Sequence, residues 1–298
     1  ASKQTIGHSN KEGARTCTPS NCANRQKIIK FKLVFIFYSF FFYNLIDDNK
    51  RVIFTKFGDG EYYNMTSYFI QKNNMTSTLL ANCDNDKFNY EFGISLREAF
   101  IKLCSINNND VFLGRWHNND TNNFLLSLIY DNLGVVSVPF VNYHFIYPDY
   151  EYHKNNNLFE FVKKIQELNK FKLIISNNNN KKLSIIFKSN YYLEIPPSSW
   201  FAMGHYPDIY NFISNILNNY PDAFIILAAG MGSKILIANL ASNYPKASFI
   251  DIGSGFDILA TKKDTRDWHQ EHKCKKEDNY TLYEHQINYF KELLPEDF

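Results

Sequence analysis

The chain has 298 residues and a formal net charge of +2, enough for one large domain or two small ones and too nearly neutral for a protein held on nucleic acid by a basic field. Hydrophobic residues make up 45%, which excludes a wholly disordered chain and fits a globular one with a real core. The five cysteines, Cys17, Cys22, Cys83, Cys104 and Cys274, are odd in number and scattered, which argues against a zinc site or disulfide framework and for a reducing compartment, with the cytoplasm as the expected location.

Residues 1–26 are polar and aperiodic and read as a disordered leader, ahead of one α/β domain over 27–298. Residues 28–46 are strongly apolar, but Lys30 and Lys32 interrupt their start. The uncharged run that follows is shorter than the roughly 20 residues of a spanning helix. No small-residue cleavage site follows it. It therefore reads as a helix that packs on the core or lies at an interface, with peripheral membrane contact as the alternative.

From residue 50 the pattern alternates. Residues 51–57 predict a strand and 62–72 a helix. Residues 95–105 predict a helix with Ser95 as N-cap and Glu98 closing a capping box. A strand at 111–114, a helix at 121–132 and a strand at 135–138 follow. Residues 158–168 form an amphipathic helix, and 172–176, 183–187 and 191–195 read as strands. A helix at 208–217, a strand at 223–229, a helix at 233–242, a strand at 247–252 and a helix at 280–294 complete the series. This alternation predicts a single Rossmann-like domain with a mostly parallel sheet flanked by helices. Such sheets bind ligands beyond the carboxyl ends of their strands, which singles out 58–61, 230–233 and 253–257.

In the first of these, Gly58 and Gly60 permit a tight turn with the backbone close to a ligand, and Asp59 and Glu61 supply two carboxylates one residue apart. Hard oxygen ligands suit Mg²⁺ or Mn²⁺. The same residues also fit an Asp-Gly turn in which Asp59 caps a helix and Glu61 sits in its first turn. In the second, a buried strand runs through Gly230-Met231-Gly232-Ser233-Lys234 into a helix whose N–H groups suit phosphate. The glycine and lysine spacing is not that of a Walker loop. In the third, Asp251-Ile252-Gly253-Ser254-Gly255 is followed by Asp257 and, further on, Arg266. An Asp-x-Gly-x-Gly turn resembles the cofactor loop of methyltransferases. However, Asp257 stands at the third glycine and too few residues remain for the further βα units such an enzyme needs. A carboxylate and an arginine past a strand suit substrate binding, or a surface ion pair.

Phe57-Gly58-Asp59-Gly60-Glu61 at the end of a first strand resembles the opening motif of the GT-D-type glycosyltransferases, which carry an Asp-x-Glu metal motif. The strand, glycine turn and helix of 223–240 and the strand running into Gly253 resemble the far half of that domain. Lys56 departs from the pattern, since arginine is expected there. The resemblance implies a GT-D-like fold, a nucleotide-sugar donor (a UDP-sugar), Mn²⁺ or Mg²⁺, and transfer of one sugar to a hydroxyl of a glycan or glycoprotein acceptor. It implies Glu61 as the main metal contact with Asp59 as its partner, both counted among the catalytic residues. It places Gly58, Gly60, Gly230, Gly232 and Ser233 near the donor. Asp257 is the candidate base for the acceptor hydroxyl, and Arg266 a diphosphate or acceptor contact. The competing readings are an S-adenosylmethionine-dependent methyltransferase and a non-catalytic glycan-binding or membrane-attached protein.

Overall fold

The structure, a computed structural model, describes residues 46, 50–58, 60–62, 64–66, 90–106, 110–115, 140–142, 158–196, 204–263 and 279–298. The leader at 1–26, nearly all of the apolar stretch at 28–46, the helix at 121–132 and the strand at 135–138 lie outside these residues. Among the described residues no helix is long and apolar enough to cross a membrane.

Seven strands form one sheet: β1 (Ile53–Phe57), β2 (Val111–Arg115), β3 (Phe140–Asn142), β4 (Lys172–Ser176), β5 (Tyr191–Glu194), β6 (Phe224–Ala228) and β7 (Ser248–Asp251). Their spatial order is β3-β2-β1-β7-β6-β4-β5, and every pairing is parallel. Helices cover both sides of the central strands: β6 reads as an unbroken apolar run, FIILA, and IFTKF and SFID are buried at nearly every position. Side chains still alternate between the two layers, as the two-residue pleat requires. Ile53 and Phe57 point into one core, Phe54 into the other.

The first layer holds α1 (Tyr90–Ser105), α4 (Tyr206–Asn219) and α5 (Gly232–Asn243). The second holds α2 (Leu158–Glu167), α3 (Leu183–Ile186), α6 (Asp257–Thr261) and α7 (Asn279–Phe290). Helical residues at 60–62 and 64–66 bury Tyr62 and Met65 in the first layer. α5 is buried on nearly every side, between the sheet, α1 and α4. Arg51 fastens its far end: the guanidinium donates to the carbonyls of Ala241 and Ala247.

Two expectations are corrected. Residues 183–187 form a helical turn, not a strand, with Leu183, Ile186 and Phe187 buried at helical spacing and Ile185 exposed. The helix expected at 95–105 begins at Tyr90, and Ser95 is inside it, its hydroxyl donating to the Glu91 carbonyl four residues back. The apparent capping box is an interior turn.

The order of strands decides where a ligand fits. The chain leaves β1 and β6 into the first layer and leaves β7, which lies between them, into the second. Connections that part to opposite faces open a crevice at the carboxyl edge of the sheet. The three segments singled out above lie on these three neighbouring strands.

Candidate functional site

The turn after β1 is built around Gly58. Its N–H donates to Glu61 Oε2 at 2.8 Å and its carbonyl accepts from the Tyr62 N–H at 3.1 Å. Glu61 thus reaches back across the first helical turn, the carboxylate half of a capping box, where a negative charge also meets the positive end of the helix. A Cβ on residue 58 would stand 3.2 Å from that carboxylate oxygen. The glycine leaves room for Glu61 to fold back.

The other oxygen, Glu61 Oε1, takes the ammonium of Lys234 at 2.8 Å. The same ammonium meets Asp251 Oδ2 at 2.8 Å. Lys234 is 2% exposed and Asp251 fully buried, while 11% of the Glu61 side chain remains open. Burial alone would lower the lysine's proton affinity. Asp251 and Glu61 more than reverse this, so the group lies above its ordinary value and stays charged.

Asp251 is satisfied on both oxygens. Oδ1 accepts from the Gly253 N–H at 3.1 Å. Oδ2 also faces the hydroxyls of Ser233 at 3.3 Å and Thr55 at 3.5 Å. Asp251 opens the Asp-x-Gly-x-Gly turn, yet its carboxylate faces inward and not toward the crevice. Ser233, likewise fully buried, donates to the Gly230 carbonyl at 2.7 Å or to Asp251.

Gly230 is different. It is exposed, its φ is +62°, and an added Cβ would meet nothing within 4 Å. It forms an open crest where backbone and ligand can approach closely. Gly232 is buried at the start of α5. Gly60 accepts through its carbonyl from Asn64 Nδ2 at 2.8 Å, and the same nitrogen touches Met231 Sδ at 3.5 Å, so the β1 and β6 turns are joined directly. Gly253, φ +49°, lies under Lys56: an added Cβ would fall 2.2 Å from both Cε and Nζ of that lysine.

The structure therefore brings together Gly58, Gly60, Glu61, Gly230, Gly232 and Ser233. Asp257 lies at the start of α6 and is partly exposed. Asp59 and Arg266 lie outside the described residues. Sequence reading missed Lys234 and Asp251, the two residues that join the segments. The available signal was a lone lysine opening an otherwise uncharged helix, which must bury its charge against some carboxylate.

Among the described residues no group of three or more His, Cys, Asp or Glu side chains is set to hold a metal. What they offer is one carboxylate, Glu61, held by two donors and with a further lone pair on each oxygen. Metal-binding carboxylates are themselves commonly hydrogen-bonded. Mg²⁺-like ions often take only one or two protein carboxylates, with phosphate oxygens and water completing the shell. The donor set fits a cation shared with a phosphate ligand, not a cage built by protein alone.

No family model matches this chain, and no curated protein matches it. Among solved structures it is similar to one described as the highly conserved domain of unknown function 1792, with a distinct glycosyltransferase fold, at 16% identity and a TM-score of 0.49 over 81% of this chain and 91% of that one.

Proposed function

We propose that this chain is a glycosyltransferase that moves a sugar from a nucleotide-sugar donor, a UDP-sugar, to a hydroxyl of a glycan or glycoprotein acceptor with the help of Mn²⁺ or Mg²⁺. One observation carries the reading. The turns after β1 and β6 and the end of β7 meet around a single buried ammonium, at the edge of the sheet where their connections part. Glu61, the glycine turn after β6 and the end of β7 are thus joined in one constellation.

In this reading Glu61, with Asp59 beside it, contributes the protein's share of the cation's ligands. A bound cation neutralises charge on the departing diphosphate. Gly230 lets the donor approach the backbone, and the first turn of α5 faces it with the positive end of a helix. The acceptor oxygen bonds to the anomeric carbon as the bond from that carbon to the diphosphate breaks. The acceptor's proton goes to Asp257, and UDP leaves. Arg266 contacts the diphosphate or the acceptor.

The test is UDP release from a panel of UDP-sugars with Mn²⁺. The wild-type protein turns over, and Glu61→Ala, shown to be folded by its circular dichroism, does not. Unchanged turnover in that variant removes Glu61 from the site. Binding has its own signature: a cation shared with the nucleotide raises the melting temperature when Mn²⁺ and UDP are given together, far more than either alone. Saturation to about 100 times the dissociation constant stabilises by about 2.7 kcal/mol. No response to any nucleotide with any divalent cation would sink the reading.

A further inference from the structure

Lys234 Nζ has four oxygens around it: Glu61 Oε1 and Asp251 Oδ2 at 2.8 Å each, the Gly230 carbonyl at 3.2 Å and Ser233 Oγ at 3.3 Å. An ammonium carries only three protons. Four oxygens at these distances, two of them charged, make a cage for a cation more than a set of separate hydrogen bonds. The cage draws on every part of the site: the turn after β1, the turn after β6, the first turn of α5 and the end of β7.

Stability alone gives little reason for such a group. A buried ion pair repays its desolvation only with good geometry, and apolar replacements are often neutral or better. Apart from Ser233, the other buried positions of α5 are glycine or apolar, so an apolar residue at 234 would suit the helix. Of the two carboxylates on Lys234, Glu61 is the more open.

We propose that Lys234 is a positioning residue: its ammonium is a tethered cation that fills the four-oxygen cage and fixes Glu61, leaving the outer lone pairs of that carboxylate for the ligand-borne cation. The inference deepens the function proposed above and rests on its placement of Glu61. Two cations then flank one carboxylate. The inner one is covalently part of the chain and always present. The outer one arrives with the nucleotide. Removing the inner cation leaves Glu61 Oε1 and Asp251 Oδ2 facing each other across the vacated cage, and repulsion turns Glu61 out of register.

The experiment compares wild-type protein with Lys234→Met, which keeps most of the stem and loses the charge. In nucleotide-free protein, ammonium chloride raises the melting temperature of the variant but not of the wild type. Tetramethylammonium chloride at equal ionic strength, too large for the cage, has no such effect. A variant indifferent to ammonium overturns the cage. For function, calorimetry with UDP and Mn²⁺ shows affinity reduced about tenfold to a hundredfold, the range found when a partner of a metal-binding group is lost, and partly restored by ammonium. Wild-type affinity in folded Lys234→Met overturns the positioning role. Should Lys234→Met not fold, Asp251→Asn is compared with the double variant Lys234→Met/Asp251→Asn, which removes cation and carboxylate together; equal affinity in that pair also overturns it. Wild-type protein that binds no nucleotide with Mn²⁺ overturns the glycosyltransferase reading, and the ammonium response alone then decides the cage.

Discussion

Two glycines at the site carry the same backbone strain but different surroundings, and so separate two costs. Gly230 and Gly253 both have positive φ, +62° and +49°. Any L side chain there costs about 1–2 kcal/mol for the left-handed backbone alone. Around Gly230 the space is open, so Gly230→Ala shows that cost and little else in a denaturant titration. Gly253→Ala also drives its methyl into the end of Lys56. That chain end is flexible and can swing aside, so the added loss of stability is small. The ammonium, however, leaves the strand ends, and if the crevice binds nucleotide as proposed, affinity falls more than stability. Equal nucleotide affinity in the two alanine variants would show that the position of Lys56 is immaterial to the ligand.

At the scale of single elements, Lys172 shows how a charge is used where no ligand is involved. It is 5% exposed, and its ammonium donates to the carbonyls of Ile165, Gln166 and Leu168 at 3.2, 2.8 and 3.3 Å. These carbonyls lie at or just past the end of α2, where the helical ladder runs out, and Ile165 also accepts from the Leu168 N–H, at 3.3 Å. Burial, with Lys188 adding to it, lowers this lysine's proton affinity, whereas Lys234 with its two carboxylates moves the other way. Lys172→Met keeps the stem and strips the donors. It lowers stability by about 1–3 kcal/mol, the cost of stranded buried acceptors, and speeds amide exchange in the last turn of α2 while leaving nucleotide binding unchanged. Unaltered exchange there would show that water replaces the ammonium without loss. The elements themselves were legible wherever burial is two-sided, because β4 and β6 leave apolar runs, Leu173 to Ile175 and Phe224 to Ala228, that a surface strand would not. Residues 183–187 misled because Leu-Ser-Ile-Ile-Phe supports either period over so short a span, and only the layer beneath chooses i, i+3 and i+4. The site was half legible. Its glycines and acidic pair follow strand-like runs and announce a turn. Asp251 and Lys234 are joined by strand order, a long-range property that local pattern does not carry.

Over the whole molecule the same chemistry becomes a pH profile. Burial pushes the Cys104 thiol on α1 up to about 12. Burial also raises the Tyr192 hydroxyl to about 12 against the opposing effect of its Ser176 contact, and lifts Tyr206 and Tyr289. These groups sit on both layers and, with Lys234, hold their protons more tightly folded than unfolded. Each therefore contributes stability that is complete below its unfolded value and is lost as the pH climbs through its folded one. Lys170 and Lys172 act in reverse, since burial lowers them and the unfolded chain then binds more protons. Their gain is confined to the approach to 10.5, the ordinary lysine value. The thiol's loss begins earlier, near its ordinary value of 9.0, so the descent starts with Cys104. One sheet joins both layers, so loss of its strands exposes groups of each. Denaturant midpoints measured at a series of pH values should hold level to about 9 and then fall. In Cys104→Ala the midpoints fall only from about 10, where the tyrosines take over. If both proteins begin to fall at the same pH, the thiol keeps no proton that the unfolded chain would lose, and Cys104 is solvated in the native state.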